Sequence, residues 1–188
     1  MKRGLVLVCS RNVGPGSGAG VPGLKAQAFP PEDADNFMAD ITWITGRIGL
    51  GGAIWRADQM AEVARAGVTH ILNMQREFDD TPLAERHGIT VFWNPIDDDF
   101  EPKPAEIFRR GVEFALQALD GADTKLYVHC AAGVHRAPMM VLAILCATGW
   151  EFDAAVETIE VKRPVADFPD VYLESVKEYL RQESMLKS

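Results

Sequence analysis

The stretch Lys125–Pro138, KLYVHCAAGVHRAP, restricts what this chain can fold into more than any other part of it. Lys125–Cys130 is the most strand-like run in the sequence, and Arg136–Ala147 is nearly all apolar, as a helix at the centre of a core would be. Only a short loop of mostly small residues separates them: Ala131, Ala132, Gly133, Val134 and His135. A strand that hands over to a helix through such a loop gathers backbone N–H groups and a helix N-terminus around one point, which makes an anion site. Ala131, Ala132 and Gly133 let the main chain come close, and Arg136 can fork onto two phosphate oxygens. Cys130 lies at the base of this positive field, which favours its thiolate and makes it a nucleophile. His129 is expected to brace the loop by hydrogen bonds rather than to act as a base. A plain core cysteine would explain Cys130 alone. It would not explain His129, Gly133 and Arg136 at fixed offsets from it; the four residues arise together by chance in about one chain in a thousand.

Around this stretch, strand and helix signals alternate. Ile41–Leu50 alternates and ends at Gly51-Gly52, like a strand or hairpin. Met60, Val63 and Ala64 recur at helical spacing over Ala57–Ala66, and Gly67 stops them. Thr69–Met74 and Ile89–Ile96 read as buried strands, the second closed by Pro95. Pro104–Leu119 carries one long apolar stripe, and Glu151–Val161 and Tyr172–Glu183 are two more amphipathic helices. This order predicts an α/β fold with a mainly parallel central sheet flanked by helices.

The chain has 188 residues, of which 47% are hydrophobic, enough for one domain with a packed core. Its net charge of −8 and pI near 5.0 speak against nucleic acid or an anionic membrane as partner, so an anionic substrate has to be caught by a local positive site. Cys9, Cys130 and Cys146 suggest neither a disulfide framework nor a metal site, and point to a reducing, cytoplasmic setting. Cys146 lies ten residues past Arg136, ~15 Å along a helix, and is assigned to the core. Cys9 is read as part of a short edge strand. The apolar run Leu5–Val8 is too short for a signal peptide, and no stretch approaches a membrane span. Residues 14–23 are rich in Gly, Pro and Ser, so residues 1–36 are read as a partly flexible N-terminal extension and 37–188 as the working domain.

His129-Cys130-x-x-Gly133-x-x-Arg136 is an H-C-x-x-G-x-x-R pattern, and with it the chain resembles the cysteine-dependent protein tyrosine phosphatases, in their small dual-specificity branch. The resemblance runs from about Ile41 to Leu180. GVTHILNM looks like the strand after that family's first helix, and KRPVADFPDVYLESV like its C-terminal helix pair. It implies a phosphatase fold and a two-step reaction through a phosphocysteine, with no metal or other cofactor. The substrate would be a phosphorylated protein or a small phosphoester. The family also places an acid and base aspartate about thirty residues before the cysteine. NPIDDDFEP resembles its Pro-Ile-x-Asp motif and selects Asp98 over Asp99 and Asp97, which alternation turns away. Most members carry Ser or Thr after the arginine to help the cysteine leave. Ala137 stands here, so breakdown of the intermediate is the expected slow step. R-A-P is also similar to the loop of plant phosphoglucan phosphatases. Ala131, Ala132 and Val134 lack the lysine that resembles inositol-lipid phosphatases.

Several residues carry a plainer reading beside a functional one. His135 is read as an outward-facing spacer, with substrate contact or tuning of the pH optimum as the alternative. Trp93, Phe100 and Trp150 are assigned to packing, with a ring-stacking wall as the alternative. Lys162-Arg163-Pro164 is read as a solvated helix end. Two other functions stand beside hydrolysis. One is a phosphate-binding adaptor without turnover. The other is rhodanese-type sulfur transfer, which the His-Cys pair, the arginine position and the upstream aspartates disfavour.

Overall fold

The computed structural model describes residues 39–186. The predicted extension over 1–36, with Cys9, lies outside them. Five strands form one sheet in the order β1-β2-β5-β3-β4. β1 (Ile41–Trp43) and β2 (Ile48–Gly51) make an antiparallel hairpin. β2, β5 (Leu126–His129), β3 (His70–Asn73) and β4 (Thr90–Trp93) run parallel, with Gly51 and Asn73 both in register with His129. β5 is therefore central, and its C-terminal end opens where ligands bind in parallel sheets.

Alternation along β5 sends its side chains to two separate cores. Leu126 and Val128 join Leu50 and Leu72 under α3 (Ala105–Asp120), α4 (Arg136–Ala147), α5 (Phe152–Lys162) and α6 (Asp170–Leu186). Tyr127 joins Ile71, Met60 and Val63 of the opposite layer, which is covered by α1 (Ala57–Arg65) and α2 (Thr81–Ala84). α4 is buried from Arg136 to Leu145, which is why its sequence shows no polar face. Each fully buried Leu, Ile or Met here contributes roughly 2 kcal/mol. α2 and the 3₁₀ turn Glu85–His87 were not expected, because four and three residues are too short to show a period. Gly67 ends α1 at φ 84°, as its sequence position suggests.

The end of β2 touches the Asp40 backbone. A Cβ on Gly51 would lie 1.6 Å from the Asp40 carbonyl oxygen and 2.6 Å from Tyr127 Oη. Tyr127 Oη in turn reaches the Asp40 and Gly52 carbonyls at 2.9 and 2.6 Å. Burial, with Asp40 next in effect, pushes this phenol well above its ordinary pKa and keeps it a neutral donor. Gly51→Ala is expected to cost about 3 kcal/mol, because backbone on one side and a buried ring on the other cannot give way. Urea unfolding should show a lower midpoint with an unchanged slope.

Candidate active site

The loop between β5 and α4 is held from outside by its carbonyls. Ala131 O accepts from Ala53 N at 3.2 Å, and Val134 O accepts from Asp167 N at 2.8 Å. Between them, Gly133 O accepts from Arg163 Nε at 2.8 Å and Ala132 O from Arg163 Nη2 at 3.2 Å. In a trans peptide the N–H points opposite the preceding C=O. Four outward carbonyls therefore turn the amides of Ala132, Gly133, Val134 and His135 inward. The Gly133 amide donates to Cys130 Sγ at 3.3 Å. Gly133 takes φ 64°, and a Cβ there would lie 2.5 Å from both Gly51 O and Arg163 Nη2, so only glycine fits.

Arg163 corrects the reading of Lys162-Arg163-Pro164 as a solvated helix end. Arg163 is 4% exposed and also forks onto Asp40, at 2.9 and 2.6 Å. Burial acts against its charge, but the Asp40 bonds outweigh this and hold its pKa above the ordinary value. Sequence patterning missed it because a charged triplet beside a proline looks the same whether it faces water or a loop.

Arg136 is buried and pairs with Glu77, Nη1 to Oε2 at 3.0 Å and Nη2 to Oε1 at 2.9 Å. Nη1 also donates to Ile96 O at 3.2 Å. Of its five N–H groups, this leaves Nε–H and the neighbouring Nη2–H, one edge of the fork. Nε is buried without a hydrogen-bond partner among the described residues. Burial pushes the Glu77 carboxyl up, but the Arg136 bonds win and hold it below its ordinary pKa. No spacing rule pointed to Glu77. His129 Nε2 meets Asp80 Oδ2 at 2.9 Å, both fully buried, and Asp80 also accepts from Asn73 Nδ2 at 2.9 Å. His129 is thus tied to Asp80 rather than to the loop, with its Nδ1 buried and without a hydrogen-bond partner among the described residues, and Asp80 is a further residue that the sequence did not single out.

The three aspartates separate as alternation predicts. Asp97 pairs with Arg76 and Asp99 with Lys103. Asp98 turns towards the loop, with Oδ2 3.1 Å from His135 Nδ1 and 3.6 Å from Arg136 Nε. Tyr172 Oη donates to its Oδ1 at 3.1 Å and accepts from Phe100 N at 3.0 Å. His135 is therefore no outward spacer, since its other nitrogen lies 3.2 Å from Asp167.

Phe100 also departs from the packing reading. It is 55% exposed at φ 58°, edge-on to His135 and stacked on Tyr172. Trp93 and Trp150 are exposed as well: Trp93 donates its Nε1–H to Gln75 O at 2.8 Å, and Trp150 follows the far end of α4, ~18 Å from the loop. Cys146 is half-buried and packs against the edge of the core, beside a cavity of about 540 Å³ lined also by α3 and α6.

Taken together, Cys130, the inward amides, Arg136 and Asp98 converge on one small cup. Arg163→Ala is expected to destabilise the fold by about 2 kcal/mol, with part of the ion pair already screened at the exposed side of Asp40. It should also weaken binding of orthophosphate to the loop. Thermal unfolding with and without phosphate reads both.

A family model described as dual specificity phosphatase, catalytic domain, matches residues 54–182. Protein phosphatase Slingshot homolog 3 of Rattus norvegicus is 30% identical over 132 residues, 68% of this chain and 19% of that protein. Protein tyrosine phosphatase type IVA 3 of Homo sapiens is 30% identical over 104 residues, 54% of this chain and 59% of that one. The chain thus spans less than two thirds of either relative. The solved structure of PTPMT1 superposes with a TM-score of 0.69 at 21% identity, covering 78% of this chain and 98% of that one.

Proposed function

The chain belongs to the dual specificity phosphatase catalytic-domain family, and from that premise we propose that it hydrolyses phosphomonoesters through a phosphocysteine. What carries this reading is the convergence of Cys130 Sγ, the inward amides, the free edge of Arg136 and Asp98 on one cup. Cys130 Sγ attacks phosphorus while the ester P–O bond breaks, and Asp98 gives its proton to the leaving oxygen. The amides and Arg136 hold the three remaining oxygens. Water then attacks the phosphocysteine, its proton passes to Asp98, and the S–P bond breaks.

The favoured substrates are proteins carrying phosphate on Tyr, Ser or Thr. Phosphoglucan or a small phosphoester is the alternative, supported by the R-A-P sequence at Arg136–Pro138. Ala131, Ala132 and Val134 bring no lysine to the cup, which speaks against polyphosphorylated inositol lipids. The net charge of −8 speaks against nucleic acid and anionic membranes. A reducing, cytoplasmic setting suits a nucleophile that must stay a free thiol, and Cys130 and Cys146 are both unpaired. No helix among the described residues is long and apolar enough to cross a membrane.

Metal-free hydrolysis of p-nitrophenyl phosphate, blocked by vanadate and abolished in Cys130→Ser, is the expected result. Asp98→Asn should cut turnover roughly 10²–10⁴-fold and remove the basic limb of the pH–rate profile. Turnover that ignores Cys130 would overturn the reading. A loop that binds phosphate without turnover would instead make the protein an adaptor.

Ala137, fully buried on the first turn of α4, offers no hydroxyl to the departing thiolate. Breakdown of the phosphocysteine is then the slow step. Rapid-quench traces should show a burst of product close to one per enzyme, and Ala137→Ser should raise the steady rate that follows it.

A further inference from the structure

α6 holds the acid loop at two points one turn apart. Tyr172, buried on its first turn, accepts from Phe100 N at 3.0 Å and donates to Asp98 Oδ1 at 3.1 Å. Ser175 Oγ accepts from Lys103 N at 3.0 Å. Residues three apart on a helix share a face, so one face of α6 takes both ends of the segment 98–103. Lys103 closes this segment from within, since its ammonium pairs with Asp99 and lies 5.1 Å from the centre of the Tyr172 ring.

A phenol has one O–H to give and accepts through the same oxygen. Burial raises the Tyr172 pKa above its ordinary value, against the Phe100 amide, so the group is the neutral donor that this geometry needs. Its one proton goes to Asp98 Oδ1, and the amide of Phe100 occupies its other side. Oδ1 is thereby engaged as an acceptor. The proton that Asp98 gives away then sits on Oδ2, the oxygen 3.6 Å from Arg136 Nε. The backbone is fixed by the same contact. Phe100 stands at φ 58°, a left-handed conformation that costs energy in any residue but glycine. Tyr172 meets it with the amide bond and with a stacked ring, centroids 6.0 Å apart at 10°.

We propose that Tyr172 is the positioning residue of the acid. Its hydroxyl holds both the backbone turn at Phe100 and the Asp98 carboxyl, so Oδ2 faces the leaving oxygen before the substrate arrives. The inference rests on the phosphatase reading for its chemistry. As the S–P bond forms and the ester P–O bond breaks, the proton passes from Oδ2 to the leaving oxygen, and Tyr172 keeps its own.

Tyr172→Phe leaves the ring in place and removes only the hydroxyl. It should lower kcat/KM for phenyl phosphate roughly ten-fold, because phenolate needs a proton to leave, and for p-nitrophenyl phosphate far less. Competitive inhibition by inorganic phosphate should stay as it was, since the amides and Arg136 are untouched. In an Asp98→Asn background the same change should cost less than about two-fold, because two residues that act through one group are not additive. Equal losses on both substrates, or an undiminished loss in the Asp98→Asn background, would make Tyr172 a packing residue and end the proposal.

A second measurement needs no turnover. In the Cys130→Ser protein, amide hydrogen exchange followed by NMR reads the Phe100 N–H directly. Tyr172→Phe should speed that exchange about five-fold or more and leave the α6 amides beyond Ser175 unchanged. An unmoved Phe100 rate, or faster exchange along the whole of α6, sinks the positioning role whatever the enzyme does. A faster Phe100 rate alone, in a protein without Cys130-dependent hydrolysis, keeps the Tyr172 contact and sinks the phosphatase reading.

Discussion

Four consecutive carbonyls, from Ala131 to Val134, are bonded on the outside of one loop, and the site exists because of that. A peptide has a donor on one edge and an acceptor on the other, so pinning the acceptors outward aims the donors inward. Arg163 supplies the middle two bonds and is the only one of the three partners that is a side chain. Its role needs a planar fork with several donors at fixed angles, because it must span two carbonyls and Asp40 at once. Lysine could place a charge there but not that geometry. Burying the guanidinium is tolerable because carbonyls and Asp40 occupy its donors. Asp40 Oδ2 also accepts from Gly52 N at 3.0 Å, so the same carboxylate ties the end of β2 to the brace.

Inside the loop, a similar accounting applies to Arg136. Arg136 gives its end-on fork to Glu77 and one further bond to Ile96 O, and keeps the Nε edge. A phosphate can be met by that edge and the amides without the Glu77 pair breaking. The pair also offsets the cost of burying the Arg136 charge. Asp98 stands on the rim of the same field. Lys103 and Arg76 draw its two neighbours away, and Tyr172 and His135 draw it in. The left-handed backbone at Phe100 turns the chain just after this point, a strained conformation that Tyr172 helps to hold through the Phe100 amide.

How much of this was legible beforehand follows the range of each interaction. The strand, loop and helix around Cys130 are local, and periodicity with small residues at fixed offsets displays them directly. The same holds for the hairpin at Ile41–Leu50 and the stripe of α3. Asp98 was separable from Asp97 and Asp99 because alternation is a local rule and the family resemblance supplied the rest. Glu77, Asp80 and Arg163 are different. Each acts across the fold, 59, 49 and about 30 residues from its partner in the chain. A single sequence shows such residues only as ordinary charges in a loop or at a helix end. His135 was misjudged for the same reason, since its two carboxylates come from segments on either side of it in the chain.

The span that matches the family model begins at residue 54, yet the brace of the loop begins earlier. Asp40, Gly51 and Gly52 lie in or beside the β1–β2 hairpin, ahead of that span. Gly51 O accepts from Cys130 N at 3.4 Å and lies where a Gly133 Cβ would fall, so the hairpin forms one wall of the loop's shell. A catalytic unit cut at residue 54 would keep every residue of the H-C-x-x-G-x-x-R pattern and lose what Arg163 leans on. The guanidinium would then stay buried with its carboxylate gone, a costlier state than having no charge there at all. Through Asp40, Gly51 and Gly52, the hairpin is packed and hydrogen-bonded into the shell of the loop.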